Sequence, residues 1–422
     1  MRAAPTPPTP RVSARASGAG RRPGPARQSS LREHNLSLVL REVIAARPPT
    51  TRARIAAATG LTRATVSQLV DRLIAGRLVV ELEPESVERA GRPGVRLAPA
   101  PRTLVALGLE IQVDHISVRA TDLTGSALAQ TRVSGDFRNS DPAQTVDRLM
   151  RLAGPVVGQL REDAGTIVGA CVAVPGIMRM GSGIVHLAPN LGWADVDLVA
   201  LLSRHPALAD VPVELGNDAD LGARAETRVR ALATNTPRSA QSFLYIAGEI
   251  GIGGAIVIDG ELAAGQHGWS GEIGHAVIDP DGPRCGCGAR GCLEQFAGKD
   301  AIMRAAGLDV TEPVERLIAA AKARDAKALK ALQSASTALG IAVSTALNIV
   351  DVERVVLAGT YAPLYEWLHE GIEAQVRERV LTARWSPVRV ERPLGGDDSA
   401  LLGAGLRVLD RVTANPAAWL SA

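Results

Sequence analysis

The sequence predicts an α/β protein in two parts, a small N-terminal winged helix-turn-helix followed by a larger two-lobed body. Three observations predict it. Apolar residues between Leu31 and Ala75 recur at helical spacing and are interrupted by Gly60. From Leu104 onward, short apolar runs alternate with longer amphipathic stretches, in two series of similar order. Charge divides at the same place. Residues 1–102 hold 18 arginines, no lysine and seven acidic residues, a net of +11, while the whole 422-residue chain carries only +3, leaving −8 for the remainder. A basic head on an acidic body points the first part toward a polyanion and the second away from one.

Residues 1–29 are rich in Pro, Arg, Ala, Gly and Ser, and too poor in large apolar side chains to bury a core. They read as a disordered basic tail. The winged helix-turn-helix is assigned to 30–98. Leu36, Val39, Leu40, Val43 and Ile44 place one amphipathic helix at 31–46, ended by Arg47-Pro48-Pro49. Thr51 can cap a short helix through Ala58. Gly60 supplies the turn, and Thr62 caps a second helix to about Ala75. In that second helix Val66, Leu69, Val70 and Leu73 form an apolar stripe. Ala64, Thr65, Ser67, Gln68 and Arg72 lie on the other face, with Arg63 at its edge. Small and polar side chains on a capped, exposed helix suit a major groove, and Arg63 and Gln68 carry the longest donors for base edges. The β-like runs 78–80 and 95–97 flank a Gly/Pro/Arg tip that presents Arg92 to a minor groove or to phosphates. The acidic stretch 81–88 would face away from DNA. A helix-turn-helix used only for protein contact is the alternative.

Residues 98–102 read as a short linker, and 103–422 as the body. Strands are expected at 104–109, 115–121 and 127–133, helices over 142–161 and a strand at 166–174. A second series is expected to begin near Val211. It would contain a helix at 219–231, strands at 242–247 and 254–258, and helices at 297–305, 311–323 and 326–350. A strand at 352–357, a helix at 364–381, a strand at 388–393 and a last helix at 397–412 complete it. With 46% apolar and only 3% aromatic residues, the core must be aliphatic. No apolar run approaches the roughly 20 residues needed to span a bilayer, and no signal-peptide pattern opens the chain. Four cysteines, three of them clustered, suit a reducing cytoplasm. The fourth, Cys171, falls in an apolar run and reads as a buried strand residue.

The most informative segment is 271–294, GEIGHAVIDPDGPRCGCGARGCLE. Cys285, Cys287 and Cys292, with His275 ten residues before the first, make a full tetrahedral set for structural zinc. Redox chemistry or plain packing are the alternatives, although C-x-C is not the spacing of thioredoxin-like motifs. Glu272 and Glu294 flank the cluster and are not needed by it. They are free to bind something polar.

This segment resembles the zinc loop of the ROK family of repressors, open reading frames and sugar kinases, whose pattern is G-E-x-G-H followed by C-x-C-G-x-x-G-C-x-E. The stretch G-L-T-R-A-T-V-S around Thr62 resembles the recognition helix of that family's repressors. The resemblance covers nearly all of the chain after residue 30. It implies a two-lobed ribonuclease-H-like body of the actin/hexokinase type. It also implies a sugar site at Asn190 in the P-N-L-G-W loop, at Asn217 and Asp218 in a variant of the E-N-D-A-N motif, and at Glu272, His275 and Glu294. Asp218 stands where the kinases keep their base. Gly216 and Asp220 depart from the motif. The phosphate loops depart further. Where kinases have D-x-G-G-T-K this chain has Glu110, Ile111, Gln112, Val113, Asp114 and His115. The second loop reads Glu249-Ile250-Gly251-Ile252-Gly253-Gly254-Ala255, and Ala358-Gly359-Thr360 replaces a glycine triplet. Phosphate cradles need free N–H groups and positive charge, so ATP binding is not expected and no residue is given a catalytic role.

The expected partners are a double-stranded DNA operator, a sugar or sugar-phosphate effector and a second copy of the chain, as homodimer or homotetramer. A membrane is not among them. An active sugar kinase with a DNA-binding appendage is the alternative, and a repressor controlled by a protein partner is a third possibility.

Overall fold

A computed structural model of the chain describes residues 28–83, 94–163, 165–179 and 181–420. Residues 1–27 of the tail expected at 1–29, and the wing tip with Arg92, lie outside the described residues, and helix begins at Gln28. The N-terminal part comprises α1 (Gln28–Ala45), β1 (Thr50–Thr51), α2 (Arg52–Thr59), α3 (Arg63–Ala75), β2 (Val79–Leu82) and β3 (Arg96–Pro99). Thr51 and Thr62 cap α2 and α3 through side-chain oxygens that accept from Arg54 N and Thr65 N. Gly60 turns the chain between them at φ +71°, a conformation other residues adopt only with strain. β3 pairs antiparallel with both β2 and β1, so the wing is a three-stranded sheet and not a simple hairpin.

The first lobe runs through β4 (Leu104–Ile111), β5 (His115–Asp122), β6 (Ala127–Ser134), α4 (Pro142–Glu162) and β7 (Thr166–Val174). A small antiparallel sheet of β8 (Ile177–Met178), β9 (Ile184–Ala188) and β10 (Trp193–Asp197) follows, then α5 (Leu198–Ser203), β11 (Val213–Asn217) and α6 (Asp218–Thr234). The second lobe has β12 (Phe243–Gly248), β13 (Ile252–Ile258), β14 (Glu261–Leu262), α7 (Glu294–Ala297), α8 (Lys299–Ala306), α9 (Val314–Lys322) and α10 (Ala326–Leu347). It closes with β15 (Arg354–Gly359), α11 (Tyr361–Arg379) and β16 (Arg389–Glu391), and the last helix, α12 (Ser399–Ala414), returns to pack on β4 and β7 of the first lobe. The sheets are ordered β11-β7-β4-β5-β6 and β14-β13-β12-β15-β16. In each, three strands meander antiparallel and two more add in parallel beside the first. This is one topology used twice.

Two sequence expectations are corrected. The second series does not begin near Val211, because β11 pairs in parallel with β7 and completes the first sheet. The 98–102 stretch is not a free linker. Pro99 ends β3, Ala100 is buried, and its N–H donates to Leu78 O.

All eight residues of β4 are buried because helices cover both faces. Val105, Leu107, Leu109 and Ile111 pack with Leu149 and Met150 of α4. Leu104 and Ala106 turn the other way, into a cluster with Leu406, Val408 and Val412 of α12. That second cluster continues without a break into Leu36, Val39, Leu40 and Val43 of α1. Ser37 Oγ donates to Thr413 O at 2.7 Å. The N-terminal helices are thus docked on the last helix of the body through shared apolar burial. α12 also lies close on α6: a Cβ on Gly403 would sit 1.8 Å from Leu221 O.

Candidate functional site

A narrow cleft opens between the lobes, with a cavity volume of about 70 Å³. All six residues expected at a sugar site line it: Asn190, Asn217, Asp218, Glu272, His275 and Glu294. Asn217 ends β11 and caps α6. Its Oδ1 accepts from Asp220 N at 3.1 Å and its Nδ2 donates to Gly176 O at 3.2 Å. Asp218 opens α6, where Oδ1 accepts from Ala219 N and Oδ2 accepts from Gln112 Nε2 at 2.8 Å. Burial pushes the Asp218 carboxyl above its usual range, against those two hydrogen bonds. Asn190 is presented by a loop that Trp193 pins down, its indole N–H donating to Ser140 O at 2.8 Å. Glu294 opens α7 and lines the same cleft as Asn190. Glu272 precedes a single 3-10 turn that ends at His275. The cleft therefore offers carboxylates, amides and an imidazole, groups that can satisfy hydroxyls as donor and as acceptor.

His275, Cys285, Cys287 and Cys292 converge behind this cleft, with ligand atoms all within 4.8 Å of one another. Cys287 Sγ and Cys292 Sγ are 3.7 Å apart, and His275 Nδ1 is 3.8 Å from Cys285 Sγ. A tetrahedron with metal–sulfur bonds of about 2.3 Å has edges of about 3.8 Å, so the four groups fit one small ion. The loop is folded for this by main-chain contacts: Cys285 N donates to Ala289 O, and Val277 bridges to Cys292. His275 lines the cleft as well, so the cluster and the cleft share a side chain.

The cleft widens outward into a space of about 950 Å³ lined by both signs of charge, with Arg132, Arg138, Lys299 and Arg392 among the cations. Glu110, Asp114 and Glu249 face it. His115 lies between two of them, Nδ1 at 2.7 Å from Asp114 and Nε2 at 3.2 Å from Glu110. Although burial works against its charge, these contacts raise His115 to about 9. Asp114, also paired with Lys299 at 3.6 Å, is held down to about 2 despite its burial. Burial pushes Glu249 up to about 8, and neighbouring Asp114 adds to the shift.

On the N-terminal part, Arg63, Ala64, Gln68 and Arg72 of α3 are exposed, while Thr65 and Ser67 are half-buried. Among the described residues the side chains of Arg63, Gln68 and Arg72 make no hydrogen bond or ion pair. The Thr62 and Thr65 hydroxyls are 2.9 Å apart and serve the cap. Arg52 is neutralised by Asp71 at 2.8 Å and by Glu81, which fixes part of the acidic stretch on α2 and α3.

The sequence profile of the ROK family matches residues 106–411. The chain belongs to the ROK family. A MarR family profile matches residues 37–90, which span the helix-turn-helix. The chain is 29% identical over 387 residues to the xylose repressor of Bacillus subtilis strain 168, covering 91% of this chain and 97% of that one. It is 32% identical over 304 residues to the kanosamine kinase of Amycolatopsis mediterranei strain S699, covering 71% of this chain and 94% of the kinase. The crystal structure of a ROK family transcriptional regulator, described as a homologue of the Escherichia coli Mlc protein, shares the fold with a TM-score of 0.72 at 23% identity. It covers 93% of this chain and 100% of that one.

Two cleft residues were not among the sequence candidates for ligand contact. Gln112 stands where the ROK kinase pattern has a glycine, and its amide reaches Asp218 from 106 residues away. Glu249 was read only as a lost phosphate loop, yet it lines the cleft beside Gly251. Their signal was the departure from the pattern itself.

Proposed function

We propose that this protein is a sugar-responsive transcriptional repressor that does not phosphorylate its sugar. Residues 30–98 act as the DNA-reading head and residues 103–422 as the sugar-binding and dimerisation body, working in the cytoplasm on an operator. The observation that carries this reading is the chemistry of the cleft. The groups suited to hydroxyls are present, while Gln112, Val113 and Asp114 stand where the kinase pattern has the two glycines and the threonine of its phosphate loop, which removes the close backbone N–H cradle a nucleotide's phosphates need. The repressor name of a relative aligned over 91% of this chain supports it. The kinase names of others keep Asp218 as the residue to test for turnover.

In this reading Asn190, Asn217, Asp218, Glu272, His275 and Glu294 bind the sugar. Zinc is held by His275 Nδ1 and the three thiolates, leaving the other imidazole nitrogen for a hydroxyl. Among the described residues no fifth group joins these four, and four ligands complete a closed tetrahedral site, so the ion is structural. Thr62, Arg63, Ala64, Thr65, Ser67, Gln68 and Arg72 address the operator with Arg92. Gln112 orients Asp218 as an acceptor. A cavity of about 70 Å³ is below the roughly 300–1,000 Å³ of small-molecule sites, so a sugar must part the lobes to enter. The head is docked on α12 and moves with the first lobe. In a dimer, lobe motion would then change the separation of two heads. Operator binding titrated against a panel of sugars tests this, with xylose first because of the named relative.

A further inference from the structure

Where α1 meets the body there is a second cavity, of about 590 Å³, within the roughly 300–1,000 Å³ usual for small-molecule sites. Its wall is built from arginines. α1 supplies Arg41, the turn after it Arg47, α6 supplies Arg224 and Arg228, and the segment after α6 supplies Arg238. Only Asp410 and Glu261 oppose them there. Asp410 is already shared between Arg224 at 2.8 Å and Arg238 at 3.7 Å. Arg47 donates to the Ile44 and Ala46 carbonyls, which leaves its charge uncompensated. Among the described residues neither Arg41 nor Arg228 has an ion pair or a side-chain hydrogen bond. Arg224 Nε is buried without a partner. Arg228 is half-buried; burial works against its charge, Asp410 favours it, and Arg238 and Arg47 oppose it. Gathering these guanidiniums costs folding energy unless an anion joins them.

We propose that this cavity is a second ligand site, which takes a small phosphorylated metabolite with its phosphate among Arg224, Arg228 and Arg238 of the body and Arg41 of the head. Guanidinium forks match phosphate oxygens in bidentate geometry. Ile44, Ala231 and Leu232 line the same cavity and offer apolar contact to a carbon skeleton. The site is separate from the sugar cleft but mechanically joined to it. α6 begins at Asp218 in the cleft, and its last turns line the arginine cavity. Seventeen helical residues span about 25 Å. A phosphate held here ties the head to the body by direct contacts and so fixes the head's orientation. A DNA backbone phosphate would offer the same chemistry, and the test separates the two.

The test titrates the full-length protein with fructose 1,6-bisphosphate, glucose 6-phosphate and inorganic phosphate, with glucose as the neutral control, by calorimetry and thermal shift. At least one phosphorylated probe should bind and raise the melting temperature. Arg228→Gln and Arg41→Ala should each weaken that binding at least tenfold. Without probe, Arg228→Gln should melt no lower than wild type, because burial and two neighbouring arginines outweigh the attraction of Asp410. If it does melt lower, Arg41→Ala, on an exposed position of α1, decides. Glu272→Gln in the sugar cleft should leave phosphate binding intact, so failure of the sugar reading and failure of this one are distinguishable. Lack of binding by the wild type, or binding indifferent to both arginine substitutions, overturns the proposal. So does loss of operator affinity and a shallower salt dependence in both variants with no probe bound, which would assign the arginines to DNA phosphates.

Discussion

Asp218 is held by its own helix and by one distant amide. Ala219 N–H and Gln112 Nε2 each occupy one acceptor site, one on each oxygen, which leaves both oxygens able to accept from a sugar hydroxyl. The metal cluster makes a sharper claim. Cys287→Ser should lose about one zinc per chain by metal analysis and lose the sugar response with it, because His275 belongs to both sites. A metal-free protein that still answers its sugar would refute the coupling. On α3, Arg63→Ala and Gln68→Ala should each weaken operator binding by about 1–3 kcal/mol and relax sequence preference. Unchanged affinity for both would sink the base-reading role. At this scale the sequence was legible wherever a motif is local. The capping threonines, the cysteine spacing and Glu272 could be placed by counting. Gln112 could not, because its partner lies 106 residues away and only the sheet brings them together.

The β4–β5 hairpin and the loop at Glu249 form an element whose charge depends on pH. His115, raised to about 9 from 6.5, adds stability that is full below about pH 6.5 and lost as pH climbs toward 9. Glu249 keeps its proton to about 8 when folded but loses it near 4.5 when unfolded, so stability falls through that window too. Asp114, held near 2, opposes this only below its ordinary value of 3.8. The melting temperature should therefore fall between pH 6 and 9, and Glu249→Gln should flatten the decline. A melting temperature that rises over this range would contradict these protonation states. Most elements were legible from apolar spacing, including β7 at its full length and the cap-to-cap extent of α3. β11 was assigned to the wrong series because its place depends on parallel pairing with β7, which no local pattern encodes. The β8–β10 sheet was missed because its strands are only two to five residues long, too short to show a period.

Across the whole molecule, the decisive feature is a core that does not stop at the domain boundary. Leu40 is fully buried in the cluster that also holds Val408 and Val412 of α12. Leu40→Ala should cost about 2–5 kcal/mol, and calorimetry should show head and body melting in one transition. Two separate transitions would mean the head is only tethered. The basic head and the acidic body were visible in the charge distribution alone. Their rigid docking was not, because it rests on apolar residues more than 350 positions apart. The central claim is that a sugar in the cleft controls the head. It is tested most directly by operator affinity of the full-length protein, measured with and without xylose and the other sugars, in wild type and in Asp218→Asn, with ATP turnover followed in the same samples. The expected result is a sugar-dependent change in operator affinity of at least fivefold, absent in Asp218→Asn, with no ATP consumed. Operator affinity indifferent to every sugar, or sugar phosphorylation above the Asp218→Asn control, would contradict it.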